Sequence, residues 1–218
     1  MRARGLNRIN TTLPVENSLA AFEYALAQGC DGFEFDIRQT RDGRDVIWHD
    51  ADFNGKQIVD TNYSDLTDRG GNPLATFPDV LAAFGSRAYL DIELKTSGSE
   101  EAIVAALKAN PPQQGYFFSS FQPDILLHLH TIDSSLRLGF LCEDRQSMSV
   151  WKDLPVQTFL PRHDLIELPV IEEVHNAGRQ IMTWTVNSPS RMRQLAAWGI
   201  DGLISDDPQL LYQTFHIA

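Results

Sequence analysis

Two carboxylates stand two residues apart in Gly32-Phe33-Glu34-Phe35-Asp36-Ile37, and the spacing recurs with a cation in Asp91-Ile92-Glu93-Leu94-Lys95. In an extended segment, side chains at i and i+2 point to the same face. Glu34 and Asp36 therefore share a face, as Glu93 and Lys95 do. Carboxylates held a few Å apart repel, and each resists ionising unless a cation sits between them. Three hard oxygen ligands, Glu34, Asp36 and Glu93, suit Mg²⁺ or Ca²⁺, whereas Zn²⁺ prefers His and Cys. His49-Asp50 lies between the two segments, and imidazole is the side chain suited to moving a proton near neutral pH. A single Glu-x-Asp is usually a solvated strand end. Glu-x-Asp, His-Asp and Glu-x-Lys in succession point to a metal and acid–base site.

The elements that must position these groups alternate between β-like and helical patterns. A helix starts near Asn17-Ser18 and stops at Gly29, with Leu19, Phe22, Ala25 and Leu26 on one face. Strands are predicted at Gly32 to Ile37, Asp45 to His49, Arg87 to Lys95, Tyr116 to Ser119, Leu136 to Leu141, Val156 to Leu160, Gln180 to Val186 and Asp201 to Ser205. Residues 51–76, rich in Asp, Asn, Gly and Thr, read as loop. Helices are predicted over Pro78 to Phe84, Glu100 to Ala109 and Pro123 to His130, and near 168–177, 188–198 and 207–214. A β-then-α rhythm implies a parallel sheet. No repeat or linker divides the chain, so residues 1–218 read as one domain.

A strand count near eight favours a closed (β/α)₈ barrel over an open doubly wound sheet. So does the polarity of two strands. Phe33, Phe35, Ile37 and Leu90, Ile92, Leu94 lie on one face, while Glu34, Asp36 and Asp91, Glu93, Lys95 lie on the other. Open α/β sheets are apolar on both faces, whereas a charged inner face suits the mouth of a barrel.

Composition narrows the partners. The 218 residues carry a net charge of −11, with 43% hydrophobic and 22% charged side chains. An acidic chain of this kind is not built for nucleic acid or an anionic membrane surface. A phosphate ester would need a local positive centre, a bound cation or a few placed Lys or Arg. No apolar run approaches a membrane span, and Met1-Arg2-Ala3-Arg4-Gly5 does not open like a signal peptide, so a cytoplasmic location is expected. Cys30 and Cys142 read as reduced, buried thiols. The pattern sets no oligomeric state.

The ordered set of motifs resembles the glycerophosphodiester phosphodiesterase family over nearly the whole chain. It comprises Val15-Glu16-Asn17-Ser18-Leu19-Ala20-Ala21-Phe22, the Gly32 to Ile37 strand, Thr40-Arg41-Asp42-Gly43, His49-Asp50 and Leu90 to Lys95. Ser119-Ser120-Phe121, Thr183-Trp184-Thr185-Val186-Asn187 and Gly199 to Asp206 complete it. The resemblance implies a TIM barrel, one divalent cation, and hydrolysis of small glycerophosphodiesters to glycerol 3-phosphate and an alcohol. It implies metal ligands at Glu34, Asp36 and Glu93, a catalytic histidine at His49, and the lysine beside the phosphate at Lys95. Trp184 matches an aromatic wall of the pocket. Glu16 matches an acidic residue that holds the first-strand arginine or histidine.

The N-terminus departs from the family pattern, which opens with a strand ending in His-Arg-Gly. No histidine precedes His49. Either Ala3-Arg4-Gly5 replaces that motif, making Arg4 the phosphate arginine, or it matches a stretch just after it and the first strand of the barrel is incomplete. Both registers remove one of two acid–base partners, a loss of about 10²–10⁴-fold. Turnover by this chain is therefore expected to be impaired, and a pseudoenzyme that binds metal or phosphate ester is the alternative. His163, just past a strand, is a candidate stand-in, although a solvated loop histidine is the plainer reading. His128, His130, His175 and His216 show no partner pattern. The segment after His49 is shorter than in many family members, which implies an open mouth and loose selectivity for the alcohol.

Overall fold

In a computed structural model of the chain, residues 14–68 and 71–216 are described. Helix α1 (Leu19–Ala27) leads into strand β1 (Gly32–Gln39) and the short antiparallel strand β2 (Asp45–Ile47). A small hairpin, β3 (Asp52–Phe53) and β4 (Lys56–Gln57), precedes α2 (Phe77–Phe84). Then follow β5 (Tyr89–Leu94), α3 (Glu100–Ala109), β6 (Tyr116–Ser120), α4 (Pro123–Ile132) and β7 (Leu138–Cys142). The chain continues through β8 (Thr158–Pro161), α5 (Leu168–Asn176), β9 (Gln180–Thr183), α6 (Pro189–Ala197), β10 (Gly202–Leu203) and α7 (Pro208–His216). No described helix is long and apolar enough to cross a membrane.

The sheet order is β10-β9-β8-β7-β6-β5-β1-β2. All pairings from β1 through β5 to β10 are parallel, and only β2 joins antiparallel. Strands thus follow one another in chain order around a curl, without the reversal that marks a doubly wound sheet. This is the barrel-type winding that the polar face predicted. Among the described residues the sheet is an open arc, and the lower edge of β1 and the free edge of β10 carry no strand. Residues 1–13, where Arg4, the Ala3-Arg4-Gly5 stretch and the expected incomplete first strand fall, lie outside the described residues.

Two apolar layers and one acidic wall organise the arc. Between sheet and helices, Phe22, Phe33, Phe35, Phe84, Ile92, Phe118 and their neighbours form the main core, with the Phe22 and Phe33 rings stacked at 4.2 Å. Inside the curl, Phe117, Leu141, Leu160, Trp184 and Ile204 form a second cluster. Gly139 makes room for it, because a Cβ there would come within 2.5 Å of Leu160 and 3.0 Å of the Phe117 ring. The inner faces of β1 and β5 carry acids instead. A third cluster, Val46, Ile58, Leu66 and Leu74 with Trp48, Phe53 and Tyr63 packed against it, organises the segment after His49. That segment is therefore more than the plain loop predicted. Its few apolar residues are too sparse for a period but suffice for a local core.

Cys30 and Cys142 are buried free thiols, as the sequence implied. Burial pushes each thiol up to about 11, so neither offers a thiolate at neutral pH. Native protein is expected to react with a thiol-specific disulfide reagent only as it unfolds. Fast stoichiometric labelling of the native fold would contradict this.

Candidate active site

Parallel register places the acids together. Glu34 pairs with Asp91 and Asp36 with Glu93 across β1 and β5, and alternation turns all four side chains to the inner face. Their exposure is 4%, 0%, 2% and 1% for Glu34, Asp36, Asp91 and Glu93. Glu34, Asp36 and Glu93 can each present a carboxylate oxygen within 4.8 Å of the others. Lys95, in the next inward position of the β5 column, reaches Asp36 Oδ1 at 3.0 Å and also bonds Glu93 Oε1. Burial works against the Lys95 charge, but Glu93, Asp36 and Glu34 outweigh it and raise its proton affinity above that of an ordinary lysine. The four carboxylates are buried together and the donor set is all hard oxygen. These residues fit a divalent cation of the Mg²⁺ or Ca²⁺ class.

Asp36 is the hub of the site. Trp48 N donates to Asp36 O at 3.0 Å, which ties the residue before His49 to β1. Asn17 Nδ2 donates to Asp36 Oδ2 at 2.8 Å, and Asn17 Oδ1 accepts from Asp36 N at 3.2 Å. Asn17 holds this grip from a positive φ of 53°, a conformation that asparagine tolerates better than most residues. The sequence reading chose Glu16 as the site residue of this motif. Glu16 is half-buried, the first-strand arginine or histidine it was expected to hold falls outside the described residues, and the neighbouring Asn17 is bonded to Asp36. Asn17→Ala is expected to lower cation affinity about 10–100-fold, the usual cost of losing a group that orients a ligand. Calorimetric titration with Mg²⁺ or Ca²⁺ checks this, and an unchanged affinity would remove Asn17 from the site.

His49 follows β2 and lies at the same edge. Its Nδ1 is 2.8 Å from Asp50 Oδ1. With a carboxylate as partner, Nδ1 carries the proton and Nε2 is left to hold or pass another. The ring is 35% exposed. The His49 carbonyl accepts two hydrogen bonds from Arg38, from Nε at 2.9 Å and Nη2 at 2.8 Å. Burial lowers the proton affinity of the Arg38 guanidinium, while Asp36, Glu93 and Asp50 act to raise it. Arg38 was overlooked in the sequence. The signal was available, because it is the next i+2 position after Glu34 and Asp36.

Trp184, expected as an aromatic wall, pairs with Phe121. Trp184 is 9% exposed, donates from Nε1 to Leu160 O at 2.7 Å and meets Phe121 edge-on at 5.4 Å. Lys95 Nζ lies 5.5 Å from the centre of the Phe121 ring. Trp184 is thus anchored in the interior cluster, and Phe121 connects that cluster to the lysine.

The remaining histidines divide. His163 follows β8 directly and is half-buried rather than a solvated loop residue; burial lowers its proton affinity, with Asp164 opposing. β8 stands four ladder steps from β1, on the far wall. His128 has partners after all, Glu100 Oε1 at 3.4 Å and Glu101 Oε1 at 3.2 Å, linking α4 to α3. His175 bonds Asp201 at 2.9 Å, and His216 lies against Tyr212. These pairs span 25 or more residues in sequence for His128 and His175, beyond what local spacing reveals.

Residues 4–210 match the sequence model of the Glycerophosphoryl diester phosphodiesterase family. The chain belongs to this family. It is 26% identical over 219 residues to a glycerophosphodiester phosphodiesterase of Caldanaerobacter subterraneus subsp. tengcongensis, with 90% of each chain covered. It is 27% identical to a glycerophosphodiester phosphodiesterase of Bacillus altitudinis, covering 88% of this chain and 89% of that one. A glycerophosphodiester phosphodiesterase structure from Parabacteroides distasonis superposes with a TM-score of 0.84 at 23% identity, covering 99% and 95% of the two chains. An Oleispira antarctica phosphodiesterase, solved with the product sn-glycerol-3-phosphate, superposes with a TM-score of 0.82 at 22% identity, covering 98% and 94%. Phosphodiesterases of this family hydrolyse glycerophosphodiesters, and the inner wall of β1 and β5 is where this member gathers its acids and Lys95.

Proposed function

We propose that the protein is a divalent-metal-dependent hydrolase of glycerophosphodiesters, producing glycerol 3-phosphate and an alcohol. The observation that carries this is the buried Glu34, Asp36, Glu93 group with Lys95 between two of its members, inside a glycerophosphoryl diester phosphodiesterase chain. A cation held by those carboxylates would supply Lewis-acid polarisation of the phosphoryl group. Lys95 offers a fixed positive charge to the phosphate oxygens as their charge grows. His49 Nε2 moves a proton, and Asp50 holds the ring tautomer. Trp184 would supply an aromatic wall, with Phe121 between it and Lys95, and Arg4 would be the phosphate arginine if Ala3-Arg4-Gly5 stands in place of the family's opening motif. The segment after His49 leaves selectivity among alcohol groups loose.

No histidine precedes His49 among these 218 residues, and reduced turnover and binding without turnover are the two readings to separate. Glycerol 3-phosphate release from glycerophosphocholine and glycerophosphoethanolamine, with Mg²⁺ or Ca²⁺ and with chelator, separates these readings. Slow release that chelator abolishes is expected. Cation binding without any release would favour the non-catalytic reading, and absence of both would overturn the proposal.

A further inference from the structure

The β1 column does not end at Asp36. Glu34, Asp36 and Arg38 alternate on β1 as Asp91, Glu93 and Lys95 do in the β5 segment, and Ile37 pairs with Leu94 between the two upper members. Two acid-acid-base columns therefore stand side by side, each with its cation toward the mouth. Lys95 is engaged by the acids below it. Arg38 is engaged by the loop above, because both hydrogen bonds given for its guanidinium go to the one carbonyl of His49.

That geometry has a mechanical meaning. β2 pairs with β1 only as far as Ile37↔Ile47, and Trp48 N→Asp36 O is the last backbone tie given on this edge. At His49 the chain leaves the sheet. Two nitrogens of a planar fork on one oxygen hold it more tightly than a single bond from a flexible ammonium does. His49 is thereby held by a rigid strand residue rather than by its loop. Asp50, 67% exposed, fixes the tautomer of the ring but is itself on the loop.

We propose that Arg38 is a positioning residue for His49, clamping its backbone carbonyl to β1 so that the imidazole keeps one position relative to the strand. This rests on the proposed role of His49 in proton transfer. A misplacement of about 1 Å at such a group costs up to about 10²-fold in rate, which sets the size of the effect.

The test combines kinetics with a readout that needs no turnover. Arg38→Gln is expected to lower kcat about 10–100-fold with KM within about threefold. Arg38→Lys keeps the charge but not the fork, and is expected to stay within about threefold of the glutamine variant in kcat. In a His49→Ala background, Arg38→Gln is expected to add less than about twofold, because both changes disable one unit. ¹³C relaxation of the His49 ring should report a rigid side chain in the parent and a mobile one in Arg38→Gln. Equal rate losses in the parent and in the His49→Ala background would overturn the proposal, as would a ring that stays rigid in the variant. A parent chain with no turnover but a rigid ring would count against the hydrolase reading alone, and ring mobility in the variants would then decide the clamp. If Arg38→Gln fails to fold, Arg38→Lys carries the same measurements.

Discussion

Glu34→Gln is expected to abolish cation-dependent activity by about 10³-fold or more while making the cation-free protein more stable. Both effects come from one property, the crowding of negative charge on the inner face of β1 and β5. Glu34, Asp36, Asp91 and Glu93 are each at most 4% exposed, and the three ligand oxygens lie within 4.8 Å of one another. At an effective dielectric of about 20, two unit charges at that separation repel by about 3–4 kcal/mol. Lys95 recovers part of this at Asp36 and Glu93. Glutamine preserves the shape of Glu34 and removes one charge, so a gain of about 1–2 kcal/mol is expected without metal. With Mg²⁺ or Ca²⁺ the order reverses, because a ligand that binds only the folded state stabilises it by mass action and the variant has lost an oxygen anion from the site. Thermal melts with chelator and with cation, run beside the glycerol 3-phosphate assay, check both halves. A variant that keeps the full cation-induced rise in Tm would remove Glu34 from the metal group.

Some of this arrangement was legible in the sequence because it obeys local rules. The i+2 alternation of Glu34 and Asp36, and of Asp91, Glu93 and Lys95, gave the inner face directly. The same alternation argued for a barrel, since only a curled sheet can leave one face polar and enclosed. What was not legible depends on contacts between distant segments. Asn17 reaches Asp36 across 19 residues, and Arg38 reaches His49 across 11. The first contact depends on how the turn before α1 sits against β1, and the second on the β1–β2 register, neither of which a single window contains. Trp184 and Phe121 meet across 63 positions for the same reason. The segment after His49 was underestimated for a different reason: Ile58, Leu66 and Leu74 pack into a small cluster without helical or strand periodicity. Strand ends came out shorter than the apolar runs suggested. β9 stops at Thr183 and β10 at Leu203, and beyond them pairing continues only through the Arg162↔Trp184 bridge and single bonds such as Val186 N to Ile204 O.

The converse substitution, Lys95→Met, is expected to destabilise the cation-free protein by about 3–5 kcal/mol, the opposite sign to Glu34→Gln. Met keeps most of the length and the apolar stem of the lysine, so contact with Phe121 survives while the charge is lost. Lys95 is 10% exposed and pairs with two carboxylates that are each 1% exposed. Breaking such a buried pair costs more than the pair contributes, because the desolvated anions remain. A divalent cation added back neutralises the same anions, so Mg²⁺ or Ca²⁺ should recover most of the lost stability. It should not recover the rate. In the proposed reaction Lys95 also stabilises the growing phosphate charge, and loss of one preorganised cationic donor costs about 10²–10³-fold in kcat. Stability that returns with cation, with activity that does not, distinguishes a lysine that serves the substrate from one that serves only the fold. Full recovery of both would assign Lys95 to the fold alone. A pair of variants shifting cation-free stability in the same direction would contradict the electrostatic account of the whole wall, since Glu34→Gln and Lys95→Met change its charge in opposite senses.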